Sequence, residues 1–358
     1  MKILAMDIGA GTQDILLYDS ESKLENCIKL VLPSPSLLEA ERISEFTTRG
    51  ENLFIEGYAV GGGALSKAIK RHVSSGFQVI MTPAAAYTIR NNLEDVVARG
   101  IHIEESPPSG FKGARLRLEE LDLSFLQGLL QAMGDSLDTL DAAAVAVQDH
   151  GAYPAGKSNR KTRLSHIRRK LEENPNPLAL SYLYGDMPGD FPRMNSAHTH
   201  LKEQLSCEHI LVMDTAPAAI VGCLADREVA RKAGGRLLLM NAGNGHTMAA
   251  ITDGGRVIAL LEHHTRFLEP ATFASYLESF CSGEASDDDP FMTSGHGLFY
   301  LAEPPGMKAL DMIAVTGPHR ELLEGTGLDF YYPAPGGDMM MTGPMGLVKS
   351  LEYYLDTG

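Results

Sequence analysis

Twice in this 358-residue chain an apolar strand runs into a Gly-x-Gly turn and leaves again as a second strand. The first copy is MDIGAGTQDILLYD, Met6 to Asp19; the second is RLLLMNAGNGHTMAAITDGGRVIALLEHH, Arg236 to His264, about 235 residues later. In the first, a short strand ends at Asp7, and Gly9 and Gly11 permit a tight turn with φ > 0 before a strand leaves from Asp14. Such a turn aims backbone N–H groups and the Thr12 hydroxyl into one concavity, a cradle for phosphate oxygens. Asp7 would face the same space and could hold a hydrated Mg²⁺. The second copy offers Gly243, Gly245 and Thr247, then an Asp253-Gly254-Gly255 hairpin into a third strand. Each copy alone also reads as an ordinary glycine-containing hairpin. Two of them, one per lobe, would close on a polyphosphate from both sides of a cleft.

The rest of the chain has an α/β rhythm. Strand-like runs (KILAMD, FQVIM, AAAVAV, HILVMD, DMIAVT) alternate with helix-like ones, among them Ala64–Val73, Thr215–Asp226 and Gly343–Leu355. Several strands are continuous apolar runs, as in sheets covered on both faces. At about 150 residues per domain, the length suggests two domains or lobes.

Charge and cysteine usage exclude several classes. Thirty-one basic against 46 acidic side chains give a formal net charge of −15. A surface that negative repels a phosphate backbone, which argues against nucleic acid and anionic membranes as partners. The longest uncharged run, His72 to Ile89, carries Ser, Gly, Gln and Pro, so no membrane span is expected. The apolar stretch before Asp7 is too short for a signal-peptide core, so a cytoplasmic location is the expectation. Cys27, Cys207, Cys223 and Cys281 form no CxxC pair and read as reduced, buried thiols.

Further pieces carry possible chemistry. DMIAVTGPHRELLEG runs from a buried strand to Gly317-Pro318, where glycine would let the backbone approach a flat ligand. In HILVMDTAPAAIVGCLADRE, Asp214 ends a strand and a helix with a small-residue face begins; the last helix has the same face at Gly343 and Gly346. Gly61-Gly62-Gly63 opens a helix, which makes a tight turn or an anion site. Lys157 to Lys170 is a basic patch without acids. Histidines crowd the middle and second half: His150, His198, His200, His246, His263, His264 and His296. Glu262-His263-His264 could bind a transition metal such as zinc or iron, with His263 the candidate ligand. Neighbours on a strand point to opposite faces, so His263 and His264 could not both serve without a bulge. Loop or partly buried histidines are the plain alternative.

In chain order, MDIGAGTQD, DTAPAAIVGCLA, NAGNGHT, VTGPHRELL and MTGPMGLVKSL resemble five motifs of the actin-like ATPase superfamily. That group includes actin, sugar kinases and the ATPase domain of heat-shock chaperones. NAGNGHT, EHHT and GHG more narrowly resemble a prokaryotic family labelled as related to pyruvate formate-lyase activating enzyme. A radical activase of that label would need three clustered cysteines for an iron–sulfur cluster, which this chain lacks.

The resemblance implies a two-lobed, ribonuclease H-like α/β fold with mixed five-stranded sheets and an interlobe nucleotide cleft. The first lobe would span 1–208, with an inserted βαβα stretch at about 51–103 and a basic helical segment at about 151–200. The second would span 209–358 and include the hinge helices. Carried over by position, Gly9, Gly11 and Thr12 would hold the β- and γ-phosphates of ATP, and Gly243, Gly245 and Thr247 would grip them from the other side. Gly317 would pack on the adenosine, and Asp7 would hold Mg²⁺ through water. The second motif departs from the superfamily, with Asn241 where Asp is usual. An amide cannot accept a proton, so another base is needed: Asp14, Asp149 or Asp214, of which Asp214 ranks first. The function expected is an ATPase or a small-molecule kinase. The alternatives are a nucleotide-gated activator or chaperone of another enzyme, and a member that binds a metal or organic cofactor. The acceptor or protein partner would be read by the inserted stretch and the basic segment.

Overall fold

A computed structural model describes residues 1–153, 159–183 and 186–357. Among the described residues, 15 strands form three sheets. β1 (Lys2–Ile8), β2 (Thr12–Asp19) and β3 (Ile28–Pro33) make an antiparallel meander. The chain then leaves for a separate four-stranded parallel sheet of β4 (Leu53–Gly57), β5 (Val79–Met81), β6 (His102–Ile103) and β7 (Ala114–Leu118). It returns through β8 (Ala142–Val147), β9 (Ser181–Leu183) and β10 (His209–Met213). The first sheet has the order β3-β2-β1-β8-β10-β9, with β8 parallel to β1 and β10 parallel to β8.

The second sheet repeats the plan. β11 (Arg236–Ala242), β12 (His246–Asp253) and β13 (Arg256–His264) are an antiparallel meander, and β14 (Gly297–Tyr300) covers its edge. β15 (Met312–Thr316) pairs in parallel with β11, as β8 does with β1. The fold is therefore the two-lobed α/β fold of the actin-like group, with differences from the simplest expectation. The first sheet has six strands, because β9 adds an antiparallel edge. The second has five, the fifth being β14 beside β13. β10, which follows residue 208, belongs to the first sheet, and the inserted sheet continues to Leu118.

Small residues let these layers approach closely. In β8, Ala142, Ala144 and Ala146 join one apolar cluster while Ala143, Val145 and Val147 join another on the opposite face. The first cluster also holds Leu237 and Leu239 of the second sheet and Ile220, Leu347 and Leu351 of two helices, Thr215–Cys223 and Thr342–Thr357. Each fully buried aliphatic side chain there contributes about 1.5–3 kcal/mol. The two helices cross with backbone against backbone. A methyl group at Gly222 would overlap the Thr342 carbonyl, and one at Gly346 would overlap the Ala218 carbonyl.

Candidate functional site

The two Gly-x-Gly turns are built alike. Gly9 N donates to Thr12 O at 2.9 Å, and Gly243 N donates to His246 O at 3.0 Å. Gly11 O accepts from Ser34 N, and Gly245 O accepts from Thr265 N, both at 3.1 Å. Asp7 lies across from Asp14, and Asn241 lies across from Met248. The counterpart of Thr12 is therefore His246, and not Thr247. Side chains alternate along a strand, so that single step turns Thr247 away from the cleft. Thr247 is fully buried, with its hydroxyl 3.0 Å from Thr265 Oγ1. None of the four turn glycines has a positive φ, contrary to the expectation for Gly9 and Gly11. Close approach constrains Gly11 instead: a methyl group there would sit 2.6 Å from Nδ2 of Asn244. The two turns thus meet tip to tip.

Beside them lies a cavity of about 700 Å³. Asp7, Gly9, Thr12 and Asp14 line it from the first hairpin, and Asn241, Gly243, Gly245 and His246 from the second. Gly317 and Pro318 contribute after β15. Gly317 has φ +99°, and a methyl there would overlap the Ala242 carbonyl, so this position requires glycine. The helix Gly63–Ser74 with its N-cap and the segment between β5 and β6, both packed on the inserted sheet, supply Gly62, Gly63, Lys67, Lys70, Arg90 and Arg99, a cationic wall on an acidic chain.

The carboxylates divide into free and occupied ones. Oδ1 of Asp7 and Oδ1 of Asp14 are buried with no hydrogen-bond partner among the described residues. Burial pushes the Asp7 pKa well above the usual range, and the Asp14 and Asp214 charges add to this. Burial also raises Asp14, to about 7. Asp214, the base ranked first from the sequence, is not available. Its oxygens accept from Arg163 Nε at 2.9 Å and Nη2 at 2.6 Å, and Oδ1 also accepts from Ala216 N at 3.2 Å as a helix cap. Asp149 is equally occupied: Gly151 N and Asn91 Nδ2 donate to Oδ1, and the backbone N–H groups of Arg193 and Met194 donate to Oδ2.

The histidines also separate. His263 is turned from the cleft, its ring nitrogens 3.1 and 3.0 Å from the carbonyl oxygens of His264 and Phe291. His198 and His200 sit on a helix, Pro192–Gln204, where His200 stacks on Tyr58. His150, His246, His264 and His296 come together where the lobes meet, with ring centroids 4.5 to 5.6 Å apart in the paired contacts. Burial pushes His150 down to about 4, with the Arg163 charge as the next cause. Burial likewise lowers His246 and His296, so these rings are neutral at pH 7. Nε2 of His246 and both ring nitrogens of His296 are buried without a hydrogen-bond partner among the described residues. Leaving such atoms unpaired costs about 1–3 kcal/mol each.

Two arginines that the sequence reading passed over hold the site in place. Arg163 is fully buried and binds Asp214 of the first lobe and Glu262 of β13. It lies in the helix Asn159–Glu173, inside the basic patch, whose first part (Lys157 and Ser158) falls outside the described residues. Arg193 binds Glu120 at 2.6 and 3.0 Å and donates to the carbonyls of Gln148 and Ile8. It thereby fixes the ends of β8 and β1 behind the first turn. Arg163 is hidden among the other cations of the basic patch, and Arg193 sits in no recognisable motif.

Residues 60–322 match the family model described as "Putative pyruvate format-lyase activating enzyme (DUF1786)". The chain belongs to this family. The four cysteines are free, and the one group of three or more metal-ligating side chains among the described residues is histidine alone. A search of curated proteins returns no significant match. Among solved structures, the chain is similar to a protein of the PilM–PilN type IV pilus biogenesis complex (9% identity, 98% of each chain covered, TM-score 0.41). It is also similar to the ethanolamine utilization protein EutJ from Carboxydothermus hydrogenoformans (11% identity, 97% of this chain and 89% of that one, TM-score 0.32). A third similarity is to the ROK hexokinase from Thermus thermophilus (12% identity, 99% and 100% covered, TM-score 0.31). No helix among the described residues is long and apolar enough to cross a membrane.

Proposed function

We propose that this member of the family binds Mg-ATP between its lobes and acts on the terminal phosphoryl group, as a small-molecule kinase or an ATPase. The observation that carries the reading is the pair of hairpin turns meeting at Gly11 and Asn244 beside a cavity of about 700 Å³. Thr12 and the two turns would hold the phosphates, and Gly317 and Pro318 would pack on the adenosine. A hydrated Mg²⁺ fits the Asp7–Asp14 pair. Two buried carboxylates held towards their protonated forms are the arrangement a divalent cation would relieve. Bound magnesium would neutralise charge on the phosphates during transfer. Asp14, with an unpartnered oxygen and a place in the cavity lining, would take the proton from the attacking hydroxyl or water. Lys67, Lys70, Arg90 and Arg99 favour an anionic acceptor held by the inserted sheet.

A second reading is a nucleotide-gated activator of another protein. Asn241 favours it, because the second turn brings an amide where a carboxylate would speed turnover. Calorimetric titration with Mg-ATP tests the shared premise, backed by thermal unfolding. A ligand at about 100 times its Kd stabilises by roughly 2.7 kcal/mol. ADP release without an acceptor marks an ATPase, release that requires an anionic acceptor marks a kinase, and tight binding without release marks the activator. No heat and no shift in unfolding would end both readings.

A further inference from the structure

We propose that His150, His246 and His296 form a transition-metal site, of the zinc class, that joins the two lobes at the floor of the cleft. The three come from separate places. His150 follows β8 in the first lobe, His246 opens β12, and His296 immediately precedes β14. Each offers one ring nitrogen, and these three atoms lie within 4.8 Å of one another. Zinc–imidazole bonds of about 2.0–2.1 Å in a tetrahedron separate the nitrogens by about 3.4 Å, so the rings need only draw together slightly around an ion.

The surroundings fit that assignment. His296 is 5% exposed and has both ring nitrogens unpartnered, and His246 Nε2 is unpartnered too, among the described residues. Neutral rings with idle nitrogens inside a protein are what metal coordination would use. Gln148 Nε2 lies 2.7 Å from His246 Nδ1. Turning that side-chain amide over would let its oxygen accept from Nδ1–H and leave Nε2 of His246 as the ligand atom. Behind His296, Glu262 Oε2 stands 3.8 Å from Nδ1. A carboxylate behind a ligand histidine fixes its tautomer and strengthens its donor. The ligand set is all imidazole, which suits zinc and its neighbours; magnesium prefers oxygen. His150 and His246 also line the cavity, so a coordination position remains open on the cleft side. The site is separate from the Asp7–Asp14 pair, and it does not rest on the nucleotide reading.

The test uses the full chain. After loading with Zn²⁺ and dialysis, elemental analysis is expected to find one ion per chain. Co²⁺ substitution should give the visible absorption of a low-coordinate, nitrogen-bound ion. His246→Gln and His296→Ala should each lose the ion by a wider margin than Glu262→Gln, for which a loss of about 10–100-fold in affinity is expected. Circular dichroism confirms that each variant is folded, and the wild-type cobalt spectrum stands even where a variant is not. Absence of stoichiometric metal in the wild type overturns the proposal. So does an intense thiolate-to-cobalt band, or retention of metal by folded His246→Gln and His296→Ala. Mg-ATP titration of the metal-free chain reads the nucleotide site independently, so either reading can fail alone.

Discussion

Hairpin β1–β2 and hairpin β11–β12 share their register and the hydrogen bonds of their turns, yet they bring opposite chemistry to the cleft. The first offers Asp7, Thr12 and Asp14. At the same three places the second offers Asn241, His246 and Met248. The third strands differ in the same way. Val31 of β3 is 45% exposed, whereas its counterpart Glu262 of β13 is fully buried under β14 and tied to Arg163. One backbone plan thus carries a carboxylate side suited to cations and proton transfer, and an imidazole side suited to a soft metal. Backbone hydrogen bonds keep the turn, and the side chains are free to diverge.

The asymmetry can be broken at its strongest point first. Arg163→Met removes the cation that neutralises buried Asp214 and Glu262. A loss of about 3–5 kcal/mol is expected, read by urea denaturation. Asp14→Asn neutralises one of the two first-hairpin carboxylates with an unpartnered oxygen, at the place where the second hairpin has Met248. Turnover of ATP should fall about 10²–10⁴-fold while ATP itself still binds; equal turnover would reassign the base. The same variant tests the burial of that group. Asp14 titrates near 7 when folded against 3.8 as its ordinary value. The folded chain therefore keeps a proton that the unfolded chain releases, and wild-type stability falls as pH rises from about 4 to 7. Asp14→Asn should be more stable than wild type by roughly 2 kcal/mol at pH 8 and nearly equal at pH 4, by thermal melts at both. The smallest effect sharpens the comparison by reversing it. Asn241→Asp makes the second hairpin like the first at one position, and basal ADP release should rise about tenfold. An unchanged or lower rate would mean that Asn241 does not limit hydrolysis.

The sequence carried the fold far and the site part of the way. The glycine turns, the AAAVAV strand and the small-faced helices Thr215–Cys223 and Thr342–Thr357 are local patterns, and local patterns fix local structure. Register is not local. Residue type equates Thr247 with Thr12, although Thr247 stands one place further from its glycines; the pairing of Asn241 with Met248 puts His246 at the Thr12 place. The partner strand decides such a one-residue step, because it sets which face each side chain takes. Asp214 looked like a free carboxylate at a strand end because its neutralising partner, Arg163, is 51 residues away in the sequence. His296 drew notice only as one of several histidines beside glycines. Its meeting with His150 and His246 comes from two lobes folding against each other, which no window along the chain displays.

The crossing of the two central helices has a mechanical side. At Gly222 and Gly346 the contact is main chain on main chain, so no side-chain rotamers would have to reset if the lobes turned about this crossing. In that case the opening angle would be governed by whatever spans the gap at the far end, and a single methyl group added at either glycine would jam the turn without touching any ligand.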